Sequence, residues 1–118
     1  MSFAITIVTE PTSRAALKTL AGDGFGDMVK VVIDVERCIM AVGAELHVDE
    51  EQVLLQHGSN QENVWGINLY PDVVGDSWIE FDSMVNIRPR QNNRTRAIQD
   101  PIIQQKIIAA VHALVKDA

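Results

Sequence analysis

Acidic side chains and one histidine recur on the polar sides of four segments whose residues alternate between apolar and polar. Alternation with a period of two places successive side chains on opposite faces of a β-strand, so these polar residues are expected to share one face of a sheet. This predicted polar face comprises Lys30, Asp34, Glu36, Glu45, His47, Asn68, Trp78, Glu80, Asp82 and Asn86. Carboxylates that approach one another repel, so one of them must take up a proton or a cation must lie among them.

A divalent cation would suit this face, because carboxylate oxygens with one imidazole nitrogen can bind Mg²⁺ or Mn²⁺. The candidate metal ligands are Asp34, Glu45, His47, Glu80 and Asp82. Such a metal would activate a water molecule for attack on a phosphoryl or carbonyl group. Without a metal, a protonated carboxylic acid and His47 could share acid–base catalysis. No spacing matches a metal-binding motif and a solvated face with ion pairs explains the same residues, so we expect no resident cofactor and keep Mg²⁺ or Mn²⁺ as the alternative.

A second cluster of polar residues follows the last alternating segment. It consists of Arg88, Arg90, Asn92, Asn93, Arg94 and Arg96, and it holds four of the ten Lys and Arg residues. Guanidinium groups bind carboxylate or phosphate through two parallel hydrogen bonds, and the asparagines supply amide donors. The loop is therefore a candidate site for an anionic ligand. Ion pairs between these arginines and the chain's own acids are an equally simple explanation.

The two tryptophans differ in their expected environments. Trp65 lies on the apolar side of its segment and is expected in the core, whereas Trp78 lies on the polar side. A tryptophan on that face would stack on a ligand ring or an arginine, or fill the interface of a homodimer. A cross-strand pair with Tyr70 is the plain alternative.

The composition limits the classes of function. Ten Lys and Arg against 16 Asp and Glu give a formal net charge of −6, which disfavours nucleic-acid binding because phosphate contacts need clustered cations. The single cysteine, Cys38, allows no intrachain disulfide and fits a cytoplasmic protein. No apolar run approaches about 18 residues, so no membrane span is expected. A chain of 118 residues has the size of one globular domain.

Two of the alternating segments, 28–36 and 39–48, are predicted to form a hairpin that turns at 37–38. A turn centred there pairs residues whose numbers sum to 75, so Lys30 would lie opposite Glu45. This register keeps the polar sides of both strands on one face and forms a favourable cross-strand ion pair.

The other two alternating segments, 63–70 and 77–88, are predicted to form a second hairpin. Pairs whose numbers sum to 148 place Asn68 opposite Glu80, and the polar sides again share one face. Residues 53–56, between the two hairpins, are predicted to form a short strand rather than a helical turn.

The remaining elements complete an α+β architecture. A first strand is predicted at 3–8, followed by a helix over about 12–21 with a hydroxyl cap at its start. Asp100 is expected to cap a closing helix over 101–116, whose first residue is a proline. The sequence thus predicts an antiparallel β-meander of five to six strands with two helices packed on one face. The other face of the sheet, the polar one, would then be free.

Four stretches of the chain together resemble a known family. They are GDMVK at 26–30, GAELHVD at 43–49, NVWGINLYP at 63–71 and WIEFDSMVNIRP at 78–89. The family that they resemble consists of small bacterial proteins with a domain of unknown function. The resemblance spans nearly the whole chain and implies a bacterial, cytoplasmic protein. It carries no activity and no catalytic residues.

Three classes of function fit these features. The favoured one is a binding or interaction module that recognises an anionic ligand or a partner protein through the polar face and the arginine-rich loop, because no nucleophile motif is present. The first alternative is a metal-dependent hydrolase that acts on a phosphate-containing substrate. The second is a structural protein that forms homodimers through its exposed sheet face. Whether the protein is an enzyme is left open by the sequence.

Overall fold

The computed structural model of the chain describes residues 3–118, which contain five strands and three α-helices. In chain order these are β1 (Thr6–Val8), α1 (Arg14–Asp23), β2 (Val29–Asp34), β3 (Ile39–Val42), α2 (His47–Gln56), β4 (Val64–Leu69), β5 (Ile79–Glu80) and α3 (Pro101–Leu114). Short 3₁₀ helices lie at Gln61–Asn63, Asp76–Trp78, Met84–Asn86 and Pro89–Gln91. The predicted α+β class is confirmed.

The five strands form one antiparallel sheet in the order β1-β3-β2-β4-β5. A meander would keep the strands in chain order, whereas here β3 and β4 lie on either side of β2. The chain must therefore cross β2 on its way from β3 to β4, and α2 lies in this connection. This crossing places a helix on the sheet face that was expected to be free.

The larger core lies between the sheet and helices α1 and α3. Val31, Ile33 and Met40 of the central strands have no exposed surface and point into it. Helix α3 contributes Ile107 and Val111, which lie four residues apart and therefore on one side of the helix. The apolar side that alternation predicted for β2 is thus confirmed.

Helix α2 covers the opposite face of the sheet. Its Leu54 packs against Val32, Ala41 and Val64, and all four side chains are fully buried. Helices α1 and α3 do pack on one face as predicted, but the expectation that the other face is free is wrong. The predicted strand at 53–56 is also wrong, because these residues belong to α2. The physical reason is that this face is apolar at its centre and must be covered to exclude water.

The first hairpin has a register two residues away from the predicted one. Asp34 pairs with Ile39, so the paired numbers sum to 73 rather than 75. The Asp34 side chain holds this turn, because its Oδ1 accepts hydrogen bonds from the N–H groups of Glu36 and Arg37, both at 2.9 Å. A shift of two residues leaves every side chain on its face, so the assignment of faces is unaffected.

The predicted pairing of Lys30 with Glu45 is wrong because β3 ends at Val42. Gly43 follows with a φ of 96°, in the region that favours glycine, and turns the chain out of the sheet. A Cβ at this position would lie 2.5 Å from the carbonyl oxygen of Ala4. Glu45 consequently lies beyond the strand and is exposed.

The second hairpin has the predicted register, with Asn68 opposite Glu80. However, β5 ends at Glu80, although the alternation predicted a strand over 77–88. The chain instead enters the 3₁₀ helix Met84–Asn86, which Ser83 caps through a hydrogen bond from a backbone N–H.

The helices near the two ends of the chain are confirmed. Ser13 caps α1 by accepting a hydrogen bond from the Ala16 N–H at 3.1 Å. Asp100 caps α3 in the same way, with 2.9 Å to the Ile102 N–H. The α3 helix ends at Leu114, two residues before the predicted end.

Candidate functional site

Arg88 has a structural role in the fold. Its guanidinium donates hydrogen bonds to Glu51 Oε2 at 2.9 Å and to the carbonyl oxygens of Val85 and Gln61 at 2.9 and 2.6 Å. It also lies 4.7 Å from the centre of the Trp65 ring. With 8% of its surface exposed, Arg88 is committed to these internal contacts. It therefore does not form the anion site that the sequence suggested.

Asn86 and Asn93 are both buried and connect neighbouring segments of the chain through their side-chain amides. Asn86 accepts from the N–H of Gly66 and donates to its carbonyl oxygen, both at 2.8 Å, as a neighbouring strand would. Asn93 donates to the carbonyl oxygens of Asn86 and Ala97 at 2.7 and 2.8 Å and accepts from the Gln99 N–H at 3.0 Å. Their amide groups are thus used inside the fold and are not free for a ligand.

The other members of the arginine-rich loop are exposed. Arg90 and Arg94 form no ion pair with any side chain in residues 3–118. Asn92 closes the turn with a left-handed backbone, at a φ of 60°. Arg96 binds Asp82, with 2.8 Å from Nε to Oδ1 and 3.4 Å from Nη2 to Oδ2. Arg96 is the member of this loop that lies beside candidate residues of the sheet.

Three acids of the predicted polar face lie apart from the others. Asp34 is fully buried at the last position of β2, while Glu36 and Glu45 are exposed at opposite ends of β3. Strand residues rise by about 3.3 Å each, so Asp34 lies roughly 13 Å along β2 from Lys30. These positions separate them from the carboxylates near β5.

The five predicted metal ligands are therefore not assembled. Within residues 3–118, no group of three or more His, Cys, Asp or Glu side chains is arranged to hold a metal ion. The early end of β3 removes Glu45 from the sheet, and the position of Asp34 at the far end of β2 removes a second ligand. The prediction of a metal site from this set is wrong on geometric grounds.

Trp78 lies in the core and not on a polar face. It is 1% exposed, and the Arg14 guanidinium carbon lies 3.9 Å from the centre of its ring. Arg14 also donates to the carbonyl oxygens of Pro71 and Val73 at 3.1 and 2.9 Å. The 3₁₀ helix Asp76–Trp78 replaces the predicted strand here and breaks the alternation. The prediction of Trp78 at a ligand or dimer surface is wrong, although it does stack on an arginine.

The remaining candidates gather around a groove of about 250 Å³ between the start of α2 and the segment that follows β5. We call it the α2 groove, and it is lined by Lys30, Leu46, His47, Val48, Ser83, Met84, Val85 and Arg96. Lys30 and Arg96 give it positive charge. Its apolar rim is unusually accessible, since Leu46, Val48 and Met84 are 51%, 53% and 64% exposed.

The polar residues of the second hairpin lie next to Lys30, which lines this groove. Asn68 lies opposite Lys30 in the β2–β4 pair, and its amide donates to Glu80 Oε1 at 2.8 Å and to the Asp82 carbonyl oxygen at 3.2 Å. Of the predicted polar-face residues, the structure thus brings together Lys30, His47, Asn68, Glu80 and Asp82. The Asn68 Oδ1 is buried and accepts no hydrogen bond from residues 3–118.

His47, the first residue of α2, is 9% exposed and lines the groove. Its Nε2 lies 2.8 Å from the carbonyl oxygen of Ile67. Burial lowers the pKa of His47 below its ordinary value of 6.5, and the charges of Lys30 and Arg96 act in the same direction. The hydrogen bond to Ile67 and the charge of Asp82 act in the opposite direction. The imidazole is therefore neutral at pH 7.

Lys30 forms no ion pair with any residue among 3–118. Its ammonium nitrogen lies 5.1 Å from the centre of the Phe25 ring. The neighbouring acid Glu50 is fully buried and accepts a hydrogen bond from the Ala44 N–H at 3.0 Å. Burial raises the pKa of Glu50 to about 9, so this carboxyl is protonated at neutral pH and does not neutralise Lys30.

The first turn of α2 lies at the same groove, which Leu46, His47 and Val48 line. The residue before the helix is Leu46, which offers no side-chain cap. The first N–H groups of a helix have no partner inside the helix, and together with the helix dipole they attract anions. The N–H of Asp49 donates to the Leu46 carbonyl oxygen at 3.2 Å, which leaves those of His47 and Val48 available.

Five residues that line the groove were not among the candidates from the sequence: Leu46, Val48, Ser83, Met84 and Val85. Leu46 and Val48 continue the alternation of β3, so the pattern placed them in a strand and in the core. The spacing of Asp49 and Gln52, which is that of a helix capping box, was the signal for a helix in this region.

Comparison with known proteins places the chain in a family without assigning an activity. No helix within residues 3–118 is long and apolar enough to cross a membrane. No curated protein and no solved structure matches the chain. A family model does match residues 6–114, in agreement with the resemblance in the sequence. The chain therefore belongs to the family described as protein of unknown function DUF5674.

Proposed function

We propose that the protein is a binding module for a small organic anion, which it holds in the α2 groove. The observation that carries this proposal is that Lys30, which has no ion-pair partner among residues 3–118, lines the same groove as the uncapped first turn of α2. A carboxylate or phosphate group placed there would receive charge-assisted hydrogen bonds from both.

The charges around the groove favour an anion. The two acids in the first turn of α2 are Asp49 and Glu50, and Glu50 is protonated at neutral pH. Asp49 is exposed, so solvent screens its charge. Arg96 uses Nε and Nη2 on Asp82 and keeps Nη1 for a ligand. Lys30 is thus the main cation, and Arg96 is the second.

The apolar rim favours an organic anion over an inorganic one. Leu46, Val48 and Met84 are exposed beside the charged residues, and a short hydrocarbon chain would remove part of their surface from water. Each buried methylene contributes about 0.8 kcal/mol, which corresponds to roughly a fourfold gain in affinity. A volume of about 250 Å³ suits a ligand of only a few carbon atoms.

The test is a titration of ¹⁵N-labelled protein with acetate, butyrate, inorganic phosphate and monobutyl phosphate, followed by NMR. We expect the amide signals of His47 and Val48 to shift, with the butyl compounds binding more tightly than their counterparts without the chain. Lys30→Met should weaken binding by about tenfold, since it removes the main charge.

The matched control is Lys106→Met, because Lys106 is an exposed residue of α3 that does not line the groove. This variant should bind like the original protein. The proposal is wrong if no probe shifts the signals of His47 and Val48, or if Lys30→Met and Lys106→Met bind equally well.

A further inference from the structure

We infer that the anion bound in the α2 groove is a hydroxy acid, whose hydroxyl group donates a hydrogen bond to Nδ1 of His47. This inference rests on the proposed function and names the class of its ligand.

The tautomer of His47 follows from the hydrogen bond between its Nε2 and the carbonyl oxygen of Ile67. The carbonyl oxygen of Ile67, 2.8 Å from Nε2, can only accept, so Nε2 carries the proton. A neutral imidazole has one N–H and one acceptor nitrogen, and the second nitrogen, Nδ1, is therefore an acceptor. The burial that lowers the pKa of His47 keeps the ring in this neutral form.

The acceptor nitrogen is available to a ligand. Within residues 3–118, the fully buried side-chain atoms that lack a hydrogen-bond partner are Asp34 Oδ2, Glu50 Oε1, Ser59 Oγ and Asn68 Oδ1. His47 Nδ1 is not among them and accepts no hydrogen bond from these residues, so it keeps contact with solvent. The side chain is nevertheless nine-tenths buried and lines the groove, so this contact lies inside the groove.

A group that satisfies Nδ1 must be a hydrogen-bond donor, and the surrounding charges decide which kind. The charged side chains close enough to influence His47 are the cations Lys30 and Arg96 and the anion Asp82. Arg96 is paired with Asp82, whereas Lys30 has no ion-pair partner among residues 3–118, and its positive charge disfavours an ammonium donor and favours a neutral hydroxyl. Because Lys30 and His47 line one small groove, the hydroxyl must lie within a few bonds of the carboxylate or phosphate.

The experiment compares butyrate with 2-hydroxybutyrate, 3-hydroxybutyrate and 2-aminobutyrate at about pH 8, by NMR titration of the full chain. One neutral hydrogen bond contributes about 1 kcal/mol, so we expect at least one hydroxy acid to bind about fivefold more tightly than butyrate. The amino acid should bind no more tightly than butyrate. The Nδ1 resonance of His47 should move when the hydroxy acid binds and stay unchanged with butyrate.

His47→Gln provides a variant that separates the two nitrogens. The glutamine amide can still donate to Ile67 from the position of Nε2, while the acceptor at the position of Nδ1 is lost. This variant should lose the preference for the hydroxy acid, so that butyrate and the hydroxy acids bind to it with equal affinity. Lys106→Met again serves as the control that keeps both properties.

The outcomes distinguish this inference from the function on which it rests. If butyrate binds in the groove but neither hydroxy acid binds more tightly, the inference is overturned and the anion-binding function stands. If none of the compounds binds, both are overturned. The comparison among ligands uses the unmodified protein, so it decides the matter even if His47→Gln fails to fold.

Discussion

Arg88 and Glu51 form an ion pair, with 2.9 Å between Nη2 and Oε2, in which the two side chains are only 8% and 11% exposed. Glu51 belongs to α2, and Arg88 follows the segment 83–85 that lines the other side of the α2 groove. The pair therefore joins the two walls of the candidate site. It also explains why the buried arginine of the predicted anion-binding loop is not available to a ligand.

Removing one partner of this pair should destabilise the protein strongly. Glu51→Ala leaves the Arg88 charge buried without its counter-charge, which typically costs about 3–5 kcal/mol of the free energy of unfolding. Urea unfolding followed by circular dichroism measures the loss. The control is Asp72→Ala, which breaks the ion pair between Asp72 and Lys18. The side chains of Lys18 and Asp72 are 65% and 68% exposed, so this variant should lose less than about 1 kcal/mol. Equal losses in the two variants would contradict the structural role of Arg88.

Asn86 forms the two hydrogen bonds to Gly66 that a neighbouring strand would form, so loss of its side chain should destabilise the protein. Asn86→Ala leaves the N–H and the carbonyl oxygen of Gly66 buried without partners, and each such group costs about 1–3 kcal/mol. We expect a loss of about 2–6 kcal/mol in urea unfolding and faster hydrogen exchange at the Gly66 amide. Asn60→Ala, at an exposed position, should change neither quantity. Normal protection of the Gly66 amide in Asn86→Ala would contradict this pairing.

Two glycine-to-alanine substitutions should have effects of opposite sign. A Cβ at Gly66 would lie 2.6 Å from the Ser83 Cβ and 2.8 Å from the Val85 Cγ2, so Gly66→Ala forces β4 and the segment 83–85 apart. We expect a loss of about 1–3 kcal/mol. Gly22 lies in α1, where an added Cβ would meet nothing within 4 Å, so Gly22→Ala should stabilise the helix by about 0.5–1 kcal/mol. Thermal unfolding of both variants checks the two signs.

The sequence predicted those parts of the fold in which local chemistry and packing agree. Ser13 and Asp100 cap helices as predicted. Such a cap depends only on a side-chain oxygen that accepts a hydrogen bond from an N–H two or three residues later, so the local sequence is enough to predict it. The pairing of Asn68 with Glu80 was likewise predictable. The apolar residues of both strands must face the core, and this requirement leaves few possible registers for the hairpin.

Helix α2 could not be predicted from apolar periodicity. Its buried residues are His47, Glu50, Glu51 and Leu54, which have the spacing of one helix face. Only Leu54 among them is apolar, so this helix face cannot be recognised from the spacing of apolar residues. Glu50 and Glu51 are tolerated inside because one is protonated and the other is paired with Arg88. Both conditions depend on tertiary contacts that no local pattern contains, and the candidate groove begins at this helix.

Glu50 should make the protein less stable as the pH rises. Burial raises the pKa of this carboxyl in the folded state from 4.5 to about 9, so its stabilising contribution is fully present below pH 4.5 and is lost as the pH rises towards 9. Between these values, each pH unit lowers the free energy of unfolding by about 1.4 kcal/mol through this group. Urea unfolding at several pH values measures the slope.

Glu50→Gln tests this origin directly, because glutamine resembles the protonated carboxyl and does not titrate. Its Oε1 can still accept the hydrogen bond from the Ala44 N–H. We expect the variant to match the original protein near pH 4.5 and to be clearly more stable at pH 8, with the slope largely removed. Asp49→Asn, which changes the exposed neighbouring acid, should leave the slope in place. A slope that persists in Glu50→Gln would assign the pH dependence to other groups. Glu50 would then be charged beside Lys30, and this negative charge would disfavour an anion in the groove.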